Sequence, residues 1–183
     1  MKAVLDANVL YPATLRSLLV DLAVLKAYEA HWTALIQQEW QHNLLKNRPE
    51  LPAWKLQRVE DMMNKALPTA LVSDYEVAGT DINLPDPDDV HVVAAALAAG
   101  AEVIVTANLQ DFPEQVLTQY GVRAISPSEF LTDLLAEQPA LVHQALQVQI
   151  ERYRNPPVDM NQLLQQLAQQ GAAEFTRAFQ EQL

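Results

Sequence analysis

The period of the hydrophobic positions changes several times along the chain, and each change marks an element. Lys2–Leu5 is a short apolar run that predicts a strand, ending at Asp6-Ala7-Asn8 ahead of Val9-Leu10 and a loop at Tyr11-Pro12. Leu15, Leu18, Leu19 and Leu22 then recur at helical spacing, which predicts a helix over residues 14–28. A second helix follows over 33–45, with Ile36, Trp40 and Leu44 on one stripe and Glu39, His42, Asn43 and Lys46 on an adjoining polar face. It stops before Arg48-Pro49, because the residue ahead of a proline is pushed out of the helical region. Residues 54–67 read as a third helix closed by Pro68, 69–73 as a short strand and 74–83 as a loop, with 75–77 as an extension of that strand.

Leu84-Pro85-Asp86-Pro87-Asp88-Asp89 then places three carboxylates ahead of the apolar run 90–99, whose one polar side chain is His91. Such a run predicts a buried helix with Gly100 as its C-terminal cap. Residues 102–106, around Val103-Ile104-Val105, form the clearest strand signal. A short helix over 112–120, a last strand over 122–125 and a helix opened by Ser126 and Glu129 in capping-box spacing complete this part. Strands separated by helices of this length predict a parallel sheet covered on both faces, a three-layer α/β/α sandwich.

From about residue 138 the pattern changes: Gln138 and ten further glutamines fall among the last 46 residues. Arg154-Asn155-Pro156-Pro157 breaks the chain, Asp159 caps a helix carrying Met160, Leu163, Leu164 and Leu167 up to Gly171, and Phe175, Phe179 and Leu183 predict one more short helix. The division read from this is a domain over 1–137 and a glutamine-rich helical C-terminal extension over 138–183.

Composition narrows the chemistry. With no cysteine among 183 residues, disulfides, thiolate metal sites and a thiol nucleophile are excluded, and carboxylates and four histidines are left as metal ligands. A hard, oxygen-binding cation such as Mg²⁺ or Mn²⁺ suits that inventory. The net charge of −11 argues against a broad nucleic-acid-binding surface, though a local site compensated by cations remains open. No apolar run approaches membrane-spanning length and the first residues carry no secretory signal, so the expectation is a cytoplasmic protein with no membrane association.

The polar features at predicted strand ends and helix mouths are Asp6 and Asn8, Glu39, the Asp86/Asp88/Asp89 cluster, and Thr106, Asn108 and Asp111. In a parallel sheet such groups meet at one edge, where ligands collect. Carboxylates gathered at one point repel each other unless a cation intervenes. Each residue also has an ordinary explanation. Asp6-Ala7-Asn8 suits a turn, Glu39 a solvated helix face, and any of the later aspartates a helix cap. The histidines lack ligand pairing at helical or hairpin spacing and read as structural or incidental. Trp32, Trp40 and Trp54 read as core or flank packing rather than as a base-stacking platform.

Four stretches in this order, "VLDANVL" at 4–10, Glu39 in "QQEWQHNLL", "LPDPDDVHVVAAALAAG" at 84–100 and "VIVTANLQDFP" at 103–113, resemble the signatures of PIN-domain nucleases, nearest the VapC-like toxin branch. The resemblance covers residues 1–135. It implies an α/β/α sandwich and a metal-dependent endoribonuclease that uses one or two Mg²⁺ or Mn²⁺ ions to hydrolyse phosphodiester bonds of single-stranded or structured RNA. Carried over by position, Asp6, Glu39 and Asp89 match the first three acids, with Asp111 in the fourth place because Asn108 stands where other members carry an acid. Asp88 would support Asp89 or bind metal directly, and Asp86 would be structural. Asn8 and Thr106 would be polar supports, and Lys46 and Arg48 would face RNA. As a toxin the protein would be restrained by a small antitoxin protein, and a homodimer is a further expectation from the resemblance.

Two rivals differ in what they require. A haloacid-dehalogenase-like phosphatase needs an acid where Asn8 stands, and a lysine after the threonine followed by an acidic pair; here no lysine follows Lys65 and Asp88-Asp89 precede Thr106. A PIN-like interaction module without catalysis would keep the shell and lose the metal affinity.

Overall fold

A computed structural model describes residues 1–76 and 81–182. Four parallel strands form one sheet in the order β2-β1-β3-β4, with β1 at Lys2–Leu5, β2 at Glu29–His31, β3 at Val103–Val105 and β4 at Arg123–Ile125. Ala3, Val4, Leu5, Ile104 and Val105 are wholly buried, as expected of parallel strands covered on both faces. Register matters most at the centre, where Leu5 lies opposite Val105. The next residue on each strand, Asp6 and Thr106, therefore reaches the same edge side by side.

Helices fill the crossovers. α1 (Ala7–Leu10) and α2 (Ala13–Val24) follow β1, α3 (Ala34–Asn47) and α4 (Ala53–Ala66) follow β2, and α5 (Val90–Ala99) leads into β3. Gly100 closes α5 with φ 62°, a left-handed conformation that glycine adopts without strain, as predicted. A short α6 (Glu114–Leu117) and one 3₁₀ turn (Thr118–Tyr120) replace the single helix expected over 112–120.

Two expectations change. The predicted helix over 14–28 ends at Val24, because Lys26 turns the chain with φ 63°, and the residues beyond it form β2. The strand expected over 69–73 reduces to one parallel bridge, Trp32 to Leu71, with the Trp32 N–H donating to the Ala70 carbonyl and the Val72 N–H to the Trp32 carbonyl. Tyr75 and Glu76 carry no strand, and Val77, where that strand was expected to extend, lies outside the described residues, as does Leu183.

α7 (Pro127–Glu137), α8 (Pro139–Arg152), α9 (Met160–Leu167) and α10 (Ala173–Gln180) finish the chain. α8 and α9 pack on α2, and α10 packs on α7. Phe130, Leu146, Leu163, Phe175 and Phe179 are wholly buried in the same hydrophobic core as the sheet. The glutamines take part as well. Gln170 accepts a hydrogen bond from the Leu15 N–H at 2.9 Å, Gln166 accepts one from the Thr14 hydroxyl at 3.1 Å, and Gln149 donates to the Thr14 carbonyl at 2.9 Å. No helix among the described residues is long and apolar enough to cross a membrane.

Candidate active site

At the carboxyl edge of the sheet lies a cleft of about 420 Å³ lined by Asp6, Asn8, Tyr11, Glu39, Asn43, Asp86, Asp89, Asn108 and Asp111. Its floor is Asp6, only 5% exposed. The Asp6 N–H donates to the Val105 carbonyl, which continues the β1–β3 ladder, while its side chain caps α1 by accepting from the Ala7 N–H at 2.7 Å. The other carboxylate oxygen accepts from the Thr106 hydroxyl at 2.7 Å and from the Asn8 amide at 2.6 Å. Asn8 also accepts from the Ala107 N–H at 2.9 Å, and Thr106 Oγ1 accepts from the Asn108 N–H at 3.0 Å. Asp6, Asn8 and Thr106 thus form one hydrogen-bonded unit that fixes both carboxylate oxygens.

Glu39 comes from the half-buried side of α3, whose N-terminus is capped by Thr33 accepting from the Ile36 N–H. Its Oε1 lies 2.9 Å from Nε2 of His91, which is buried in the first turn of α5. His91 was read from the sequence as structural or incidental; the structure makes it the partner that orients Glu39. The available signal was its position as the lone polar side chain in an apolar run, directly after the acidic cluster. Asn43, one turn after Glu39 on the same polar stripe, and Tyr11 also line the cleft without having been singled out.

The acidic turn sorts its three aspartates by geometry. Asp86 accepts from the Asp88 N–H at 2.9 Å and lines the cleft with Asp89, whereas Asp88 is exposed and does not line it. Asp86, given the structural role in the sequence reading, and not Asp88, is the neighbour of Asp89 in the cleft. The 3₁₀ turn Leu109–Asp111 brings in Asp111, hydrogen-bonded to the Asn108 amide. Asp86, Asp89 and Asp111 each offer a carboxylate oxygen within 4.8 Å of the others. Lys46 and Arg48 lie outside the cleft, both exposed, with Arg48 paired to Glu50.

Charge accumulates without compensation here. The Asp89 carboxyl is pushed up to about 7, first by partial burial and then by Asp6, Asp86 and Asp111, with His91 opposing. Burial also raises Asp6 and Glu39 adds to the effect, while the Thr106 and Ala7 hydrogen bonds and His91 pull the other way. An all-oxygen donor set whose members repel one another at this range fits a hard divalent cation. Asp86, Asp89 and Asp111, with Asp6 and Glu39 behind them, are the residues that could hold it.

A strand-end aspartate held by a strand-end threonine, a helix-borne glutamate and an acidic helix mouth converge on one cleft, and a family model described as PIN domain matches residues 2–110. The chain belongs to the PIN domain family. A second model, described as the VapC50 C-terminal domain, matches residues 127–181, from the first residue of α7 almost to the end of the chain. "Putative ribonuclease VapC50" of Mycobacterium tuberculosis (strain ATCC 25618 / H37Rv) is 38% identical over 82 residues, which cover 45% of this chain and 48% of that relative. The matched stretch thus spans about half the length of the relative. Both matches carry the VapC name, the branch that the sequence resemblance pointed to. No solved structure matches the chain.

Proposed function

We propose that this PIN domain is a Mg²⁺- or Mn²⁺-dependent endoribonuclease that hydrolyses phosphodiester bonds of single-stranded or structured RNA and serves as the toxin of a toxin–antitoxin pair. The observation that carries the reading is the convergence of Asp6, Glu39, Asp86, Asp89 and Asp111 on one cleft. The relative's description as a ribonuclease supports RNA as the substrate.

A divalent cation, when bound, supplies positive charge that offsets the phosphate and acidifies nearby water. The chain's own residues do the positioning. Asp6 is held by Thr106, Asn8 and the Ala7 N–H, so its orientation does not have to be found at each turnover. His91 fixes Glu39 in the same way. Asp86, Asp89 and Asp111 gather their carboxylates in the same cleft, while the amides of Asn43 and Asn108 offer neutral donors to a phosphate oxygen. No serine, cysteine or histidine nucleophile is required.

Two measurements test the reading. Mn²⁺ is expected to raise the melting midpoint of the wild-type protein, since a ligand bound only by the native state stabilises it. Asp6→Asn and Asp89→Asn are expected to abolish Mn²⁺-dependent cleavage of single-stranded RNA in proteins that remain folded. Cleavage retained by both variants would refute the assignment, and a wild-type midpoint indifferent to Mn²⁺ would favour a non-enzymatic PIN-like module. The antitoxin is tested by co-purification from the native host, where a small partner protein is expected to accompany the chain and to suppress cleavage.

A further inference from the structure

The α3–α4 hairpin departs from the rest of the molecule in charge. Residues 46–65 carry five cations, Lys46, Arg48, Lys55, Arg58 and Lys65, against three acids, whereas the remaining residues carry seven cations against twenty acids. Two of the hairpin's acids, Glu60 and Asp61, are engaged by Gln41 and Gln57 along the helices, and the third, Glu50, pairs with Arg48. At the tip, in the first turn of α4, stands Trp54. It is 61% exposed, although Trp32 and Trp40 are wholly buried and the sequence grouped all three as packing residues. Lys55 Nζ lies 5.7 Å from the Trp54 ring centroid, within cation–π range.

This tip is joined to the cleft. Glu39, Asn43 and Asn47 follow one another at four-residue spacing on one face of α3. Glu39 and Asn43 line the cleft, and the Asn47 amide donates at 3.0 Å to the hydroxyl of Tyr11, another lining residue. The polar edge of the cleft therefore runs two helical turns, about 12 Å, along α3 to the hairpin tip.

We infer that the hairpin tip is a substrate subsite, at which Trp54 stacks on a base of single-stranded RNA flanking the cut while Lys46, Lys55 and Arg58 meet its phosphates. An exposed aromatic face beside several cations is the combination that binds single strands without reading sequence. The local positive balance, in a chain of net charge −11, favours a polyanion over a second copy of this acidic chain. The inference rests on the nuclease reading above, and it names where the strand lies outside the cleft.

The test is binding of an oligouridylate of about ten nucleotides in EDTA, where no cleavage competes. Because Trp32 and Trp40 are buried, quenching of tryptophan emission reports on Trp54. Quenching is expected in the wild type, with anisotropy of the labelled oligonucleotide giving an affinity about 5- to 100-fold weaker in Trp54→Leu and largely restored in Trp54→Tyr. Lys55→Gln and Arg58→Gln should each lower the salt dependence of log affinity by about 0.7. Absent quenching, or equal affinity of Trp54→Leu and wild type, would overturn the subsite. So would a Trp54-dependent dimer in sedimentation that does not quench with RNA. Mn²⁺-dependent cleavage without quenching would sink this inference alone, whereas quenching without any cleavage would sink the nuclease reading and leave the tip as an RNA-binding surface.

Discussion

Asp89 concentrates the electrostatics of the site in one side chain. Its folded-state pKa of about 7 lies above the ordinary aspartate value, so between roughly pH 4 and pH 7 the native state holds a proton that the unfolded chain has released. Stability of the metal-free protein should therefore fall as pH rises through that window and level off above it, with Asp6, also raised by burial, contributing in the same sense. Melting in EDTA across this range is expected to show that decline in the wild type. Asp89→Asn should show a shallower decline and a higher midpoint at pH 7.5. Parallel pH profiles for the two proteins would mean that like-charge repulsion at Asp89 is not what the site stores. Mn²⁺ should reverse the trend in the wild type, because proton and cation compete for the same oxygens.

Among the elements, α2 shows how the C-terminal helices serve the front of the molecule. Its N-cap is Pro12, which offers no side-chain acceptor, so the first amides of the helix need partners from elsewhere. Gln170 supplies one for Leu15 from about 155 positions away. Gln170→Ala is expected to cost about 1 kcal/mol of stability, the usual loss when a cap is removed, measured by urea unfolding. A change within error would show that water replaces the amide. This arrangement also explains what could be read from sequence. Helices α3, α4 and α5 carry their own signals, a threonine cap, a proline stop and a glycine in the left-handed region, and were legible. β2 was not, since its three residues, Glu-Ala-His, have no strand signature and the turn before it uses Lys26 in place of glycine or asparagine. At the site, Asp6, Asp89 and Asp111 stood out because carboxylates at element ends are conspicuous, whereas Glu39, inside α3, was legible only through the family resemblance. The choice between Asp86 and Asp88 turned on the direction of a 3₁₀ turn, and the role of His91 on a contact across 52 positions, neither of which periodicity encodes.

At the scale of the whole molecule, the PIN sandwich and the C-terminal helices share one core. Ser128 in α7 accepts from the Glu174 and Phe175 N–H groups at 3.0 and 3.1 Å, capping α10 in place of a local residue, and Phe175 is wholly buried beside Phe179. Phe175→Ala is expected to destabilise by about 3–5 kcal/mol, the range for large-to-small changes in a packed core. Calorimetry should show one transition shifted as a unit. Two transitions, with only one displaced, would mean that the helices fold as a separate body.

The Asp6–Thr106 hydrogen bond spans 100 positions and exists only after β3 has docked beside β1. During translation Asp6 leaves the ribosome 100 residues ahead of Thr106, so it has no partner until Thr106 has also emerged and the sheet has closed. A contact of such sequence separation forms late, after a large loop-closure entropy has been met. A chain that ends before β3 carries Asp6, Glu39, Asp86 and Asp89 but cannot assemble the cleft, so the site exists only once the centre of the sheet has closed.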